Sequence, residues 1–145
     1  MQATVRNIND RIVGDRPAPD VRLTFGHDSR APQLARLALS ILLGGADDRF
    51  AGSVEFARGV VLASSEMVAN AVTHTTNGCC LEAWNTDPFR VEVSDSDLRP
   101  PILNLAPDEN GGRGLQILNS LATMWGTRFE SNGKTVWADF VRSQI

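Results

Sequence analysis

The sequence predicts a two-layer α/β sandwich of the α+β kind: a mixed, mainly antiparallel sheet with helices packed on one face. Three observations predict it. Two pairs of strand-like segments, about 79–84 with 89–94 and 125–129 with 134–140, are joined by connectors short enough to make them antiparallel hairpins. Three other segments carry apolar residues at helical spacing. The chain order is strand, helix, helix, two strands, long loop, helix, two strands, with no internal repeat, and such mixtures settle as a sheet covered by helices.

In chain order, residues 1–20 are polar, end in Arg16-Pro17-Ala18-Pro19, and read as a loosely attached arm; the domain proper is expected over 21–145. Val21-Arg22-Leu23-Thr24-Phe25 alternates as a half-buried strand does. Asp28 or Ser29 can cap the next helix, which has Pro32 in its first turn. Leu34, Leu37, Ala38, Ile41 and Leu42 form its apolar stripe, and Gly44-Gly45 ends it. A longer helix spans about Ser53 to Thr75, with Val54, Ala57, Val61, Val68 and Val72 on one side. Asn77-Gly78 turns the chain into the first hairpin, whose strands are joined by Thr86-Asp87-Pro88. From Asp95 to Gly111 there are three prolines and no periodicity, and a loop of that length in a compact domain is characteristically functional. Gly111-Gly112-Arg113-Gly114 then opens a helix with Leu115, Leu118, Leu121 and Ala122 on one stripe. The last hairpin turns at Ser131-Asn132-Gly133.

Composition narrows the function class. A chain of 145 residues can bury a sizeable single core, and 42% hydrophobic with 21% charged residues is a globular balance. A net charge of -3 gives no general electrostatic reason to bind nucleic acid. No apolar run reaches membrane-spanning length and the N-terminus lacks a signal-peptide core, so a cytoplasmic location is expected. Cys79 and Cys80 are adjacent and fit neither a strain-free disulfide nor a spaced metal site; they read as small strand residues in a reducing compartment.

Three clusters carry chemistry. Glu66, Asn70 and His74 are four residues apart and form a polar row on a helix that otherwise buries small apolar side chains. The row fits either a solvated face or a working edge: Glu66 could deprotonate a hydroxyl, and Asn70 could offer one oxygen to Mg²⁺, which needs few protein ligands. His74 fits a histidine bonded near a helix C-terminus better than a catalytic one. The glycines of Gly111-Gly112-Arg113-Gly114 allow a phosphate to approach the backbone N–H groups of the helix start, and Arg113 adds a permanent charge, although a flexible helix start has the same sequence. Asp95, just past a strand at the mouth of the long loop, is either a turn-forming acid or a carboxylate that accepts from a ligand amine such as adenine's.

Together the clusters resemble the motif set of the GHKL ATPase superfamily, which includes gyrase, heat-shock chaperones, histidine kinases and mismatch-repair proteins. SSEMVANAVTH is similar to its N box, with Glu66 at the catalytic-glutamate position and Asn70 at the magnesium-asparagine position. VEVSDSDLRPP is similar to the first glycine box, with Asp95 at the adenine-recognising position. GGRGLQIL is similar to the second, with Gly112, Arg113 and Gly114 against phosphates and Leu115 among the cofactor-binding residues, and GKTVWADF to the last strand, with Thr135 supporting adenine recognition. The match spans roughly residues 20–142, in order.

The resemblance implies the Bergerat ATP-binding fold, ATP and Mg²⁺ as cofactors, and a homodimer. The form GGRGLxxLxxLAxxWG…GKTVWA resembles the actinobacterial type of single-domain anti-sigma factors that double as serine/threonine protein kinases. Such a protein sequesters an RNA polymerase sigma factor and phosphorylates an anti-anti-sigma factor, adding charge that drives the two apart. Here the first glycine box departs from Asp-x-Gly-x-Gly: Asp97 and Arg99 replace both glycines and set bulk and charge beside the adenine position. Two alternatives stand beside the kinase: a GHKL-fold module that sequesters a sigma factor or other regulator without catalysis, and an accessory ATPase or kinase acting on something else.

Overall fold

The computed structural model describes residues 5–6, 16–44, 54–75, 77–98 and 114–142. Its elements are β1 (Val5–Arg6), β2 (Val21–Phe25), α1 (Ala31–Gly44), α2 (Val54–His74), β3 (Cys79–Trp84), β4 (Phe89–Asp95), α3 (Gly114–Leu121), β5 (Met124–Glu130) and β6 (Gly133–Phe140). The strands form one sheet in the order β1-β5-β6-β4-β3-β2. β2 to β6 pair antiparallel, and β1 adds a parallel edge beside β5. The predicted two-layer fold is therefore observed, with each hairpin where the alternation places it.

Strand alternation divides the sheet's side chains. Leu23, Leu81, Val93 and Val136 lie opposite one another across four strands and face the helices, joined by Phe89, Val91, Ala138 and Phe140. α2 closes the core from above with Val60, Ala63, Met67, Val68, Ala71 and Val72, and α3 contributes Leu115 and Leu118. α2 packs against α1 on one flank and α3 on the other.

The core face of α1 differs from the expected one. Ala31, Ala35, Leu39 and Leu43 are buried, whereas Leu34, Leu37 and Ile41 are 45%, 60% and 65% exposed. Both stripes have helical spacing, so periodicity alone could not choose between them. The small Ala31 and Ala35 let the helix approach its neighbours closely and leave the larger residues outside. Leu39→Ala should therefore destabilise by about 2–3 kcal/mol through a lost side chain and a partly collapsed cavity. Leu37→Ala should stay within about 0.5 kcal/mol at concentrations where the chain is monomeric. Urea unfolding of the two variants checks the assignment, and the reverse order would restore the expected stripe.

The stretch expected as a loose arm is held at its described parts. Trp84 donates its indole N–H to the Pro17 carbonyl at 2.7 Å, and Asp20 accepts from the Asn85 N–H at 2.6 Å. Arg16 lies over the Trp84 ring at 4.8 Å and pairs with Glu92. The tryptophan and the buried carboxylate give this otherwise polar segment something to bind. Residues 1–4 and 7–15 lie outside the described residues.

The turn at Gly78 requires glycine. Its φ is +81°, and a Cβ there would lie 1.8 Å from the Phe25 carbonyl oxygen. The turn is closed by Thr75, whose hydroxyl donates to the Gly78 carbonyl at 3.1 Å.

Candidate functional site

The helix-facing side of the sheet ends in a row unlike those below it. Phe25, Cys79, Asp95, Lys134 and Phe129 lie opposite one another on β2, β3, β4, β6 and β5. An acid and a lysine thus stand where the next row has Val93 and Val136. Their side chains are 3% and 5% exposed and form an ion pair, with Lys134 Nζ donating to Asp95 Oδ1 at 3.0 Å. The same oxygen accepts from the Asp97 N–H at 2.8 Å. Nζ also donates to the Asp97 carbonyl at 2.9 Å, so the turn after β4 folds back over the pair. On the other side of Asp95, burial foremost, and then the charge of Asp95 and of Cys80, push the Cys79 thiol up to about 12. Cys79 is therefore a protonated, inert packing residue, as expected.

Close backbone approach makes this arrangement possible. Gly133 opens β6 against the end of β4, and a Cβ there would lie 2.1 Å from the Asp95 carbonyl oxygen and 3.0 Å from Ser96 Cα. The close fit sets Lys134 directly opposite Asp95.

Thr135, expected to support adenine recognition, is not in this row. It projects from the other side of the sheet, its hydroxyl 2.8 Å from that of Ser94. The reason is the period of two: Lys134 shares a face with Val136, Ala138 and Phe140, and Thr135 shares one with Trp137 and Asp139. The sequence carried the signal, because the alternating apolar residues of GKTVWADF already place the lysine on the core side. Lys134, which sequence reasoning did not single out, is the residue that stands opposite Asp95 on the core face.

Glu66 and Asn70 fall on α2 where predicted. Both are half-buried, and neither side chain is hydrogen-bonded to a described residue. They share a stripe of α2 with Gly59, seven and eleven residues before them, and a Cβ at Gly59 would meet Leu121 of α3 at 3.8 Å. The pair therefore flanks the seam between α2 and α3, away from Val68 and Val72. α2 packs on β3 and β4, so the row and the Asp95 carboxylate lie on the same side of the sheet. His74 ends α2, and its side chain lies outside the described residues, as do Gly111, Gly112, Arg113 and Arg99. Gly114 begins α3, and the Leu115 side chain is buried in the core, leaving only its backbone to meet a ligand.

Set against Mg-ATP, these residues fit at one end and not at the other. Asn70 has an amide oxygen to offer, and a magnesium ion bound through phosphates and water needs no more than one or two protein ligands. Among the described residues no cluster of three or more His, Cys, Asp or Glu side chains could hold a metal by itself. At the purine end the carboxylate that would receive adenine already holds an ammonium and a backbone N–H.

The opposite face of the sheet carries a second charged cluster. Glu92, 4% exposed, receives Arg16, Arg90 at 3.0 Å and Arg128 at 3.1 Å. Arg90 also pairs with Asp139 at 2.6 Å and lies over the Trp137 ring at 4.5 Å. Arg16 and Arg90 thus cover the buried Trp84 and Trp137.

No family model and no curated protein matches the chain. Among solved structures, the chain is similar to "the RsbU and RsbW domains of Rv1364c from Mycobacterium tuberculosis", with a TM-score of 0.60 and 22% identity over 89% of this chain. It spans about a third, 34%, of that longer chain. The likeness is one of fold, extending over almost the whole sandwich. Among the described residues no helix is long and apolar enough to cross a membrane.

Proposed function

We propose that this chain is an anti-sigma factor of the GHKL type, which acts by holding a sigma factor away from RNA polymerase and releasing it when an anti-anti-sigma protein competes. The observation that carries the reading is the coincidence of the N-box row with the fold: Glu66 and Asn70 lie on the α2–α3 seam of a sandwich similar in fold to a structure containing an RsbW domain. The exposed stripe of Leu34, Leu37 and Ile41 on α1 is an apolar surface that the expected homodimer would use.

Two versions of this function differ in catalysis. In one, the protein phosphorylates its anti-anti-sigma partner on serine or threonine with Mg-ATP, with Glu66 as base, Asn70 as metal ligand, and Gly112, Arg113 and Gly114 against the phosphates. In the other, it sequesters without catalysis. The Asp95–Lys134 pair favours the second, because it engages the carboxylate that adenine would need.

Affinity capture from the native cell, with and without Mg-ATP, tests the reading. A sigma factor recovered equally in both conditions supports sequestration without a kinase. Transfer of labelled phosphate to a small co-purified protein, lost in Asn70→Ala, supports the kinase. Recovery of neither sigma factor nor anti-anti-sigma protein refutes the anti-sigma assignment.

A further inference from the structure

We propose that Lys134 is a built-in occupant of the adenine position, so that this chain keeps the GHKL fold and refuses adenine nucleotides. The inference rests on the reading of Asp95 as the adenine-facing carboxylate of that fold. An adenine amino group offers a neutral N–H to the carboxylate. Lys134 offers an ammonium at 3.0 Å to the same group, and a charge-assisted hydrogen bond is about twice as strong as a neutral one.

The lysine is also tethered. It stands directly opposite Asp95 on the neighbouring strand, so it competes as part of the same molecule against a nucleotide at millimolar or lower concentration. For adenine to take Asp95 Oδ1, the ammonium would have to give up both that oxygen and the Asp97 carbonyl. With its side chain 5% exposed, it would be left as an unpaired charge in the interior unless the turn opened.

The turn itself explains the departure in the first glycine box. Asp97 stands where the family has glycine, and both of its backbone groups are engaged: its N–H on Asp95 Oδ1 at 2.8 Å and its carbonyl on Lys134 Nζ at 2.9 Å. Asp95, Asp97 and Lys134 form one closed unit that occupies Asp95 Oδ1 and balances its charge without a ligand. The aspartate is thereby kept as a structural element, and sigma-factor binding becomes independent of ATP.

Calorimetry with ADP and with Mg-ATP, on the wild type, Lys134→Thr, Lys134→Gln and the double variant Lys134→Thr/Asp95→Asn, tests this directly. Circular dichroism and cooperative urea unfolding establish which variants fold. The wild type should show no saturable binding at millimolar nucleotide. A folded Lys134→Thr or Lys134→Gln protein should gain affinity by about 100-fold or more, and Asp95→Asn should abolish the gain. Micromolar binding by the wild type overturns the proposal. So does a folded variant that gains nothing, since the lysine would then not be what excludes adenine. If neither single variant folds, the wild-type titration decides alone, with saturable binding overturning the proposal and its absence supporting it. Sigma-factor capture is a separate readout: its loss refutes the anti-sigma assignment whichever way the titrations fall.

Discussion

Replacing Gly133 by alanine should destabilise the protein by about 4 kcal/mol or more, placing the change in the exceptional tail of single substitutions. The cause is not conformational, since the only positive-φ glycine among the described residues is Gly78. It is steric: the new Cβ would fall 2.1 Å from the Asp95 carbonyl oxygen, a backbone atom at the end of a paired strand. Relief requires the start of β6 to move away from β4 by more than an ångström, as the ordinary contact distance is near 3.4 Å. That movement would separate Lys134 from Asp95 and leave two buried charges uncompensated. Gly59→Ala is the control, because its Cβ would meet only Leu121 Cδ2, at 3.8 Å, inside a long helix. It should stabilise by about 0.5–1 kcal/mol through helix propensity. Urea midpoints for both variants check the contrast, and a Gly133→Ala protein of wild-type stability would show that the β4–β6 contact is not as close as described.

Most of the architecture was legible because its signals are local. Alternation in VRLTF and the short connectors at Thr86-Asp87-Pro88 and Ser131-Asn132-Gly133 fix strands and hairpins within a few residues. α1 shows the limit. Its sequence is apolar on two faces, and the choice of Ala31, Ala35, Leu39 and Leu43 over Leu34, Leu37 and Ile41 depends on how closely α2 approaches, a tertiary fact. The site divides in the same way. The row of Glu66 and Asn70 follows from the period of one helix. The partner of Asp95 depends on the register between two strands far apart in sequence, and a motif comparison that ignores which face a residue occupies chose Thr135 over Lys134. Arg16 shows the same dependence on tertiary neighbours. A proline-flanked arginine reads as part of an arm until Glu92 and Trp84 are seen beside it.

Glu92→Ala should destabilise by about 3–5 kcal/mol, the range for removing one partner of a buried ion pair. Three guanidiniums meet this one carboxylate, and Arg16, Arg90 and Arg128 are 18%, 15% and 22% exposed, so solvent screens them incompletely. Arg90 keeps Asp139 in the variant, but the shared counter-charge at the centre is gone. Glu92→Gln should lose less, because the amide oxygen still accepts one hydrogen bond and the volume is preserved. Acid should reproduce part of the effect. Burial alone pushes Glu92 up, but the hydrogen bonds from Arg16 and Arg128, with their charges, outweigh it and hold the carboxyl below its ordinary value of 4.5. A depressed carboxylate contributes stability that is fully present above its unfolded-state value and is lost as pH falls through the lower folded value. Wild-type stability should therefore fall below about pH 4.5, while Glu92→Gln, with no proton to take up there, should show a shallower loss. Urea titrations at steps between pH 3 and 7, on the order of one unit apart, separate the two proteins. Parallel acid slopes would mean that the cluster on the outer face contributes little, and that the roof over Trp84 and Trp137 is held by packing instead of charge.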